Sequence, residues 1–297
     1  MKTYKTILVG LECKNSDCLI LEHIANMKNA LGIQKVFFVH ILKDVKLPAN
    51  SEQKYVKHMT PLVEFRRTLI TKYLEDKFIG LNDFDYEILV KDGTPEVEMP
   101  KMIQEQQIDL LVLGRKPRPG LTPLLWQLTD TAKCSILIVP KLIRRSSSKN
   151  LTPFDFCGSC KQAVNMAYYF RRLGLHKKIA YPYSKDHSLP LGSDITHSVV
   201  KGHNTKNYKK NILPENLIAN CAVILEKREN LARKIVRYSL SKGANLIMIG
   251  YKGSNQLASF LFGSIAIKLA EISYRLPILI DKKRRVNIDI LEAFISL

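Results

Sequence analysis

The chain has 297 residues, 46% hydrophobic and 25% charged, an ordinary globular composition with room for one large domain or two of about 150 residues. Its formal charge of +19 is uneven: residues 1–143 carry 20 Lys and Arg against 17 Asp and Glu, residues 144–297 carry 26 against 10, so the halves stand at +3 and +16. The excess favours anionic partners, and the lack of any apolar run near the ~18 residues of a membrane helix, or of a signal segment ahead of Thr6, excludes membrane-spanning and secreted readings and predicts a cytoplasmic protein.

In chain order, residues 6–9 read as a strand, 18–31 as a helix stopped by Gly32, and 35–41 as a second strand. Leu62, Phe65, Leu69 and Ile70 form an amphipathic stripe whose apolar face is expected in the core. Strands follow at 108–114 and 134–139. The series then repeats: a strand at 150–155, a helix at 160–173 stopped by Gly174, a strand at 178–181, a helix carrying Leu231, Ile235, Val236 and Leu240, and strands at 244–250 and 276–280. Each half reads βαβαβαβ, and the continuous Val, Ile and Leu runs are those of parallel strands covered on both faces. The expected fold is therefore α/β, two tandem doubly wound parallel-sheet domains, residues 1–143 and 151–297, joined by the polar stretch 144–150. Residues 184–213, polar and rich in Lys and Gly, read as a surface excursion.

Six cysteines without a secretory segment read as reduced thiols. Cys157-Gly-Ser-Cys160 is a CxxC with no second pair to complete a zinc site, and His187, His197 and His203 have no ligand spacing. His40, ending an apolar strand, reads as a hydrogen-bonded pocket-edge residue.

The chemically pointed pattern lies near the C-terminal end. Gly250-Tyr-Lys252-Gly253, nine residues, then Gly263-Ser264 stand between the strand 246–249 and a helix opening at Ile265. Glycine lets backbone N–H groups approach an anion with no Cβ in the way, a helix start adds N–H donors, and Ser264 adds a hydroxyl. Its position, past the carboxyl end of a buried strand, is where α/β sheets hold ligands.

With Asp155 ending the first strand of its half, this spacing resembles the nucleotide-binding signature of the universal stress protein family, and the whole chain resembles a tandem pair of such domains with the adenine-nucleotide α-hydrolase-like fold. The resemblance implies ATP as ligand, with Mg²⁺ as an accompanying ion. It places Gly250, Gly253, Gly263, Ser264 and Ile265 at the phosphates, Lys252 beside them as a cation, Asp155 at the adenosine, and the backbone near Tyr181 facing adenine. It also implies that the last strands of the two halves, 136–139 and 277–280, pair with one another, so that a monomer looks like a dimer; a homodimer is a further option.

The first half departs from this pattern. Gly114-Arg-Lys-Pro-Arg-Pro-Gly120 is followed by Leu-Thr-Pro123 with no Gly-Ser. From Gly114 to Ser135 is 21 positions and from Gly250 to Pro277 is 27, so six residues are missing, and Pro117 and Pro119 remove N–H groups. Glu12 stands where an Asp is expected. The first domain is expected to be an architectural copy that does not bind ATP in the family manner, with Arg115, Lys116 and Arg118 left to meet an anion.

No nucleophile with a nearby His and carboxylate, no Gly-Lys-Ser/Thr loop and no acidic pair placed for Mg²⁺ is readable, so binding itself is the expected activity, with slow hydrolysis by bound metal and water left open. The favoured reading is a stress or signalling module whose nucleotide-bound second domain is recognised by a protein partner. The alternative is a basic adaptor that binds nucleic acid or an acidic protein through 201–210 and Lys282-Lys-Arg-Arg285. An ATP-using enzyme of related architecture would need a second substrate pocket, which nothing in the sequence marks.

Overall fold

A computed structural model describes residues 4–14, 17–42, 52–77, 85–115, 120, 122–140, 150–153, 178–184, 221–226, 228–251 and 262–282. At 30, 52–61, 150–153, 178–184, 221–226, 228–230, 251 and 262–264 it gives the backbone alone. Among the described residues the order is β1 (Thr6–Gly10), α1 (Asp17–Leu31), β2 (Lys35–Leu42), α2 (Glu52–Lys77), β3 (Asp85–Asp92), α3 (Pro95–Glu105), β4 (Leu110–Arg115), α4 (Pro123–Thr131) and β5 (Ser135–Pro140). The second half follows with β6 (Asn150–Pro153), β7 (Lys178–Ser184), β8 (Cys221–Glu226), α5 (Arg228–Ser241), β9 (Leu246–Tyr251), α6 (Phe262–Ile272) and β10 (Ile278–Lys282). Of the expected boundary segment 144–150 only Asn150 is described, inside β6, and the expected helix 160–173, the CxxC and the histidines of 184–213 lie outside the described residues.

All ten strands form one sheet in the order β3-β2-β1-β4-β5-β10-β9-β6-β7-β8. Every neighbouring pair is parallel except β5 and β10, which meet antiparallel with Ile278 opposite Ile138, Leu279 opposite Leu137 and Ile280 opposite Ile136. Register makes the halves equivalent residue by residue. Leu8 of β1 faces Leu111 of β4, and Leu151 of β6 faces Ile247 of β9; Gly114 and Gly250 each lie three residues further on. Ile136 faces Leu111 and Ile278 faces Ile247, so Leu137 and Leu279 are equivalents as well as partners, and a pseudo-twofold axis passes between them. The internal pairing of last strands expected from the sequence is thus present.

Each half has one strand more than the four read from the sequence, because β3 and β8 lie at the sheet's two edges. An edge strand is partly solvated, so β3 (Asp-Tyr-Glu-Ile-Leu-Val-Lys-Asp) buries only Val90 and lacks the continuous apolar run of a central strand. The apolar residues of β8, 222–225, run almost directly into α5 and merge with its pattern.

The core lies on both faces, as the alternation of strand side chains requires. Leu8, Leu111, Leu113, Ile136, Ile138, Ile247, Ile249, Ile278 and Ile280 share one cluster with residues of α3, α4, α5 and α6. Ile7, Val9, Leu110, Val112, Leu137, Val139, Met248 and Leu279 share the other with α1 and α2. Both clusters run across the β5/β10 seam. Leu231 and Ile235 are buried as expected, with Val236 and Leu240 packed beside them. The stripe on α2 is rotated from its expected face: Ile70 and Leu74 are buried, whereas Phe65 is 58% and Leu69 40% exposed. At about 100° per residue Leu69 and Phe65 lie about 100° and 140° around the helix from Ile70. The face that meets the sheet is instead Val63, Ile70 and Leu74, flanked by Leu62 and Tyr73.

Candidate functional site

In β3-β2-β1-β4-β5 the chain order reverses between β1 and β4, and in the second half between β6 and β9; a crevice outside the carboxyl ends of these pairs is where such sheets take ligands. In the second half Gly250 is buried near the end of β9, beside Asp281 of β10. The helix that follows β9 opens at Phe262, which puts Gly263, Ser264 and Ile265 in its first turn, where N–H groups have no intrahelical acceptor. Ile265 itself is buried against the core. Tyr181 lies on β7 opposite Val223. Asp155, Lys252 and Gly253 lie outside the described residues.

Register identifies the first half's counterparts. Thr152 faces Ile179 in β6/β7 as Val9 faces Phe38 in β1/β2, so His40 stands where Tyr181 stands, and Glu12, four residues after Leu8, matches Asp155, four after Leu151. Glu12, His40 and Gly114 line a cavity of about 710 Å³ at the β1/β4 crevice. His40 Nδ1 donates to Leu11 O at 2.9 Å, the pocket-edge role read from the sequence. Glu12 pairs with Lys14 at 3.3 Å. Asp17 opens α1 with a buried carboxylate that accepts from the Lys14 N–H at 3.3 Å, and burial raises its pKa above the ordinary value. A Cβ on Gly114 would come within 2.9 Å of Ile20 Cδ1 and one on Gly10 within 2.7 Å of Leu113 Cδ2, so both glycines are already packed against side chains.

The start of α4 offers fewer free N–H groups than an ordinary helix start. Pro123 at the first helical position has no N–H, Leu125 N–H donates to the Thr122 hydroxyl at 3.3 Å, and Trp126 N–H donates to Thr122 O at 3.0 Å. Seven residues, 116–122, join β4 to α4, against ten, 252–261, between β9 and α6. Arg115, expected to be left for an anion, is 2% exposed and turned across the seam: its guanidinium donates to Gly120 O and to Glu271 O in the last turn of α6, and Gly120 N–H donates to the same Glu271 carbonyl. Burial lowers its pKa to about 10. The cation thus satisfies C-terminal helix carbonyls, a favourable placement against the helix dipole. Lys116 and Arg118 lie outside the described residues.

The seam carries a polar cluster that sequence reasoning missed. Asp281 Oδ1 accepts from Tyr4 Oη and from Ser135 Oγ, both at 2.9 Å, and Lys282 N–H donates to Ser135 Oγ at 3.0 Å. Lys282 Nζ donates to Ala132 O at 2.9 Å and Asp130 O at 3.3 Å, at the C-terminal end of α4. Lys282 is 6% exposed, and burial lowers the pKa of its amine to about 8. Lys282 is therefore withdrawn from the basic stretch 282–285 that the adaptor reading required. The signal was available: a carboxylate and an amine directly after three apolar strand residues are the kind of charges that have buried partners. Among the described residues no group of three or more His, Cys, Asp or Glu side chains could hold a metal ion, and no helix is long and apolar enough to cross a membrane.

Residues 3–140 match the model of the Universal stress protein family. Over the whole chain the fold is similar to a universal stress protein from Archaeoglobus fulgidus, at 15% identity over 95% of this chain and 99% of that one, with a TM-score of 0.65. It is also similar to a functionally unknown protein from Pseudomonas aeruginosa, at 12% identity over 99% and 98%, with a TM-score of 0.61. Identities this low establish the fold alone, and they establish it end to end. No curated protein matches the chain.

Proposed function

We propose, for a chain whose residues 3–140 match the universal stress protein family, that the second half binds ATP and that nucleotide occupancy rather than turnover is its activity. The observation that supports this reading is the start of α6: Gly263 and Ser264 fall in the first turn of the helix that follows β9, one of the two strands flanking the β6/β9 crevice. First-turn N–H groups and the Ser264 hydroxyl would take the phosphates, with Gly250 and Gly253 letting the backbone approach and Lys252 adding a cation. Asp155 would accept from a ribose hydroxyl or the exocyclic amine, and the backbone at Tyr181 would face the base. Mg²⁺, where it accompanies the nucleotide, would neutralise phosphate charge. The bound form would be the one a cytoplasmic protein partner recognises.

Equilibrium titration with labelled ATP tests the reading. Gly263→Asp sets a carboxylate among the phosphate donors and is expected to weaken binding at least about a hundredfold, a difference of about 2.7 kcal/mol. Gly263→Ala is expected to do much less, which separates charge from altered folding. Equal affinity of the Asp variant and the unaltered chain overturns the proposal.

A further inference from the structure

Among the described residues four large apolar side chains are exposed, and two of them belong to neighbouring helices of the first half: Val97 of α3, 50% exposed, and Trp126 of α4, 51% exposed. The two helices are joined at this point, since Gln127 Nε2 donates to Glu96 O at 3.3 Å, and each bonded residue is the chain neighbour of one exposed side chain. Pro123, Trp126 and Asp130 are exposed along one side of α4, as spacings of three and four residues require. Tryptophan is among the residues enriched at the energetic centres of interfaces.

The chain itself supplies an occupant for this surface. Lys282, the last residue of β10, is fixed to the end of α4 by Nζ bonds to Asp130 O and Ala132 O, so the segment 283–297 starts beside that helix end. Lys283-Arg284-Arg285 carry the cations that a helix C-terminus favours, and Asp130 adds a carboxylate there. In the twelve residues 286–297, Ile288, Ile290, Leu291, Phe294, Ile295 and Leu297 fall within one half of a helix circumference at about 100° per residue, and Asp289, Glu292 and Ser296 fall within the other. Three linking residues reach about 10 Å and a twelve-residue helix about 18 Å, against about 6 Å along α4 from Asp130 back to Trp126.

We propose that residues 286–297 form an amphipathic helix that folds back over α3 and α4 and covers Val97 and Trp126 with its apolar face. The outer surface of the first half is thus the docking site for the chain's own last segment, tethered at the seam by Lys282. The inference does not depend on the ATP reading, which concerns Gly263 and Ser264.

Trp126 is the single tryptophan, so its fluorescence reports on the surface directly. Acrylamide quenching is measured on the full chain, unaltered and as Leu291→Asp, Phe294→Asp, Val97→Asp and Glu292→Gln, with cooperative thermal unfolding to show that each variant is folded. A carboxylate on either apolar face is costly to bury, so Leu291→Asp, Phe294→Asp and Val97→Asp are each expected to raise the quenching constant about twofold or more and to shift emission to the red. Glu292→Gln, on the polar face of the segment, is expected to leave both unchanged. Quenching of the unaltered chain as strong as that of Leu291→Asp and Phe294→Asp overturns the proposal, since the ring is then uncovered from the start. Protection lost only in Val97→Asp, or lost from the unaltered chain on dilution, also overturns it, because the cover is then a different partner or a second copy.

Discussion

The start of α4 has a proline at the first position and a Thr122 hydroxyl that accepts from the Leu125 N–H, whereas the equivalent start of α6 carries Gly263 and Ser264 in its first turn. Both helices follow a strand of the same register and return to a strand at the seam, so the fold does not distinguish them. The difference is local: three fewer residues before the helix, two fewer within it, one fewer between it and the equivalent positions Ser135 and Pro277, and a Thr-Pro in place of a Gly-Ser. A duplicated scaffold can therefore keep its sheet while one connection changes, and in such folds ligand sites are built from loops and helix ends rather than from the core.

The same inequality runs through the seam and is open to a harsher test. The pseudo-twofold axis makes Val139 the equivalent of Asp281 and Pro277 the equivalent of Ser135, so the polar cluster exists at one end of the β5/β10 pairing and an apolar contact at the other. Asp281→Val makes the two ends alike and leaves the buried hydroxyls of Tyr4 and Ser135 without their shared acceptor, at a cost of about 4 kcal/mol. Denaturant unfolding followed by Trp126, the single tryptophan, measures it. A loss under about 1 kcal/mol would mean that the seam does not depend on this cluster.

A smaller effect comes from the two cations that reach across the seam, Arg115 to the last turn of α6 and Lys282 to the end of α4. They do the same work with different chemistry, since only the lysine titrates near neutrality. Its folded pKa is lowered to about 8, below the ordinary value of about 10.4, so between those values the unfolded chain holds a proton that the folded chain has released. Stability from this group therefore rises with pH across that window, by about 2 kcal/mol, and the neutral amine still has N–H groups for the two α4 carbonyls. The unaltered protein is expected to gain stability relative to Lys282→Met between pH 8 and 10; parallel pH profiles would show that the amine titrates normally.

Much of this inequality is legible in the sequence. The six-residue shortening, the prolines and the missing Gly-Ser are read directly from the sequence, and the central strands announce themselves by unbroken apolar runs. The edge strands β3 and β8 did not, because solvation on one side or fusion with a neighbouring helix removes that signal. Nor could the sequence say that Arg115 faces a helix end in the other half, since that contact spans 156 positions and exists only once β5 and β10 have paired. The rotation of α2, with Phe65 outward and Leu74 inward, failed for a related reason: four apolar residues within three turns define a face only when the helix's position on the sheet is known. Asp155, Lys252 and Gly253 fall outside the described residues, so sequence alone speaks for them.

The smallest expected effect sharpens the comparison between the two helix starts. Thr122→Ala removes the hydroxyl that accepts from Leu125 N–H and should lower stability by about 1 kcal/mol, the usual cost of an N-cap. It also returns one donor to the crevice. If capping alone shut the first half to phosphate, this variant would acquire ATP binding that survives Gly263→Asp. We expect none, because Pro123 still withholds the first N–H, the shortened loop is unchanged, and the carboxylates of Glu12, Asp17 and Glu96 still face the cavity. Adding Pro123→Ser restores that N–H and leaves the loop and the carboxylates in place. ATP affinity appearing in the double variant would assign the loss to two residues of α4, and continued silence would assign it to the shortened connection and the charge of the wall.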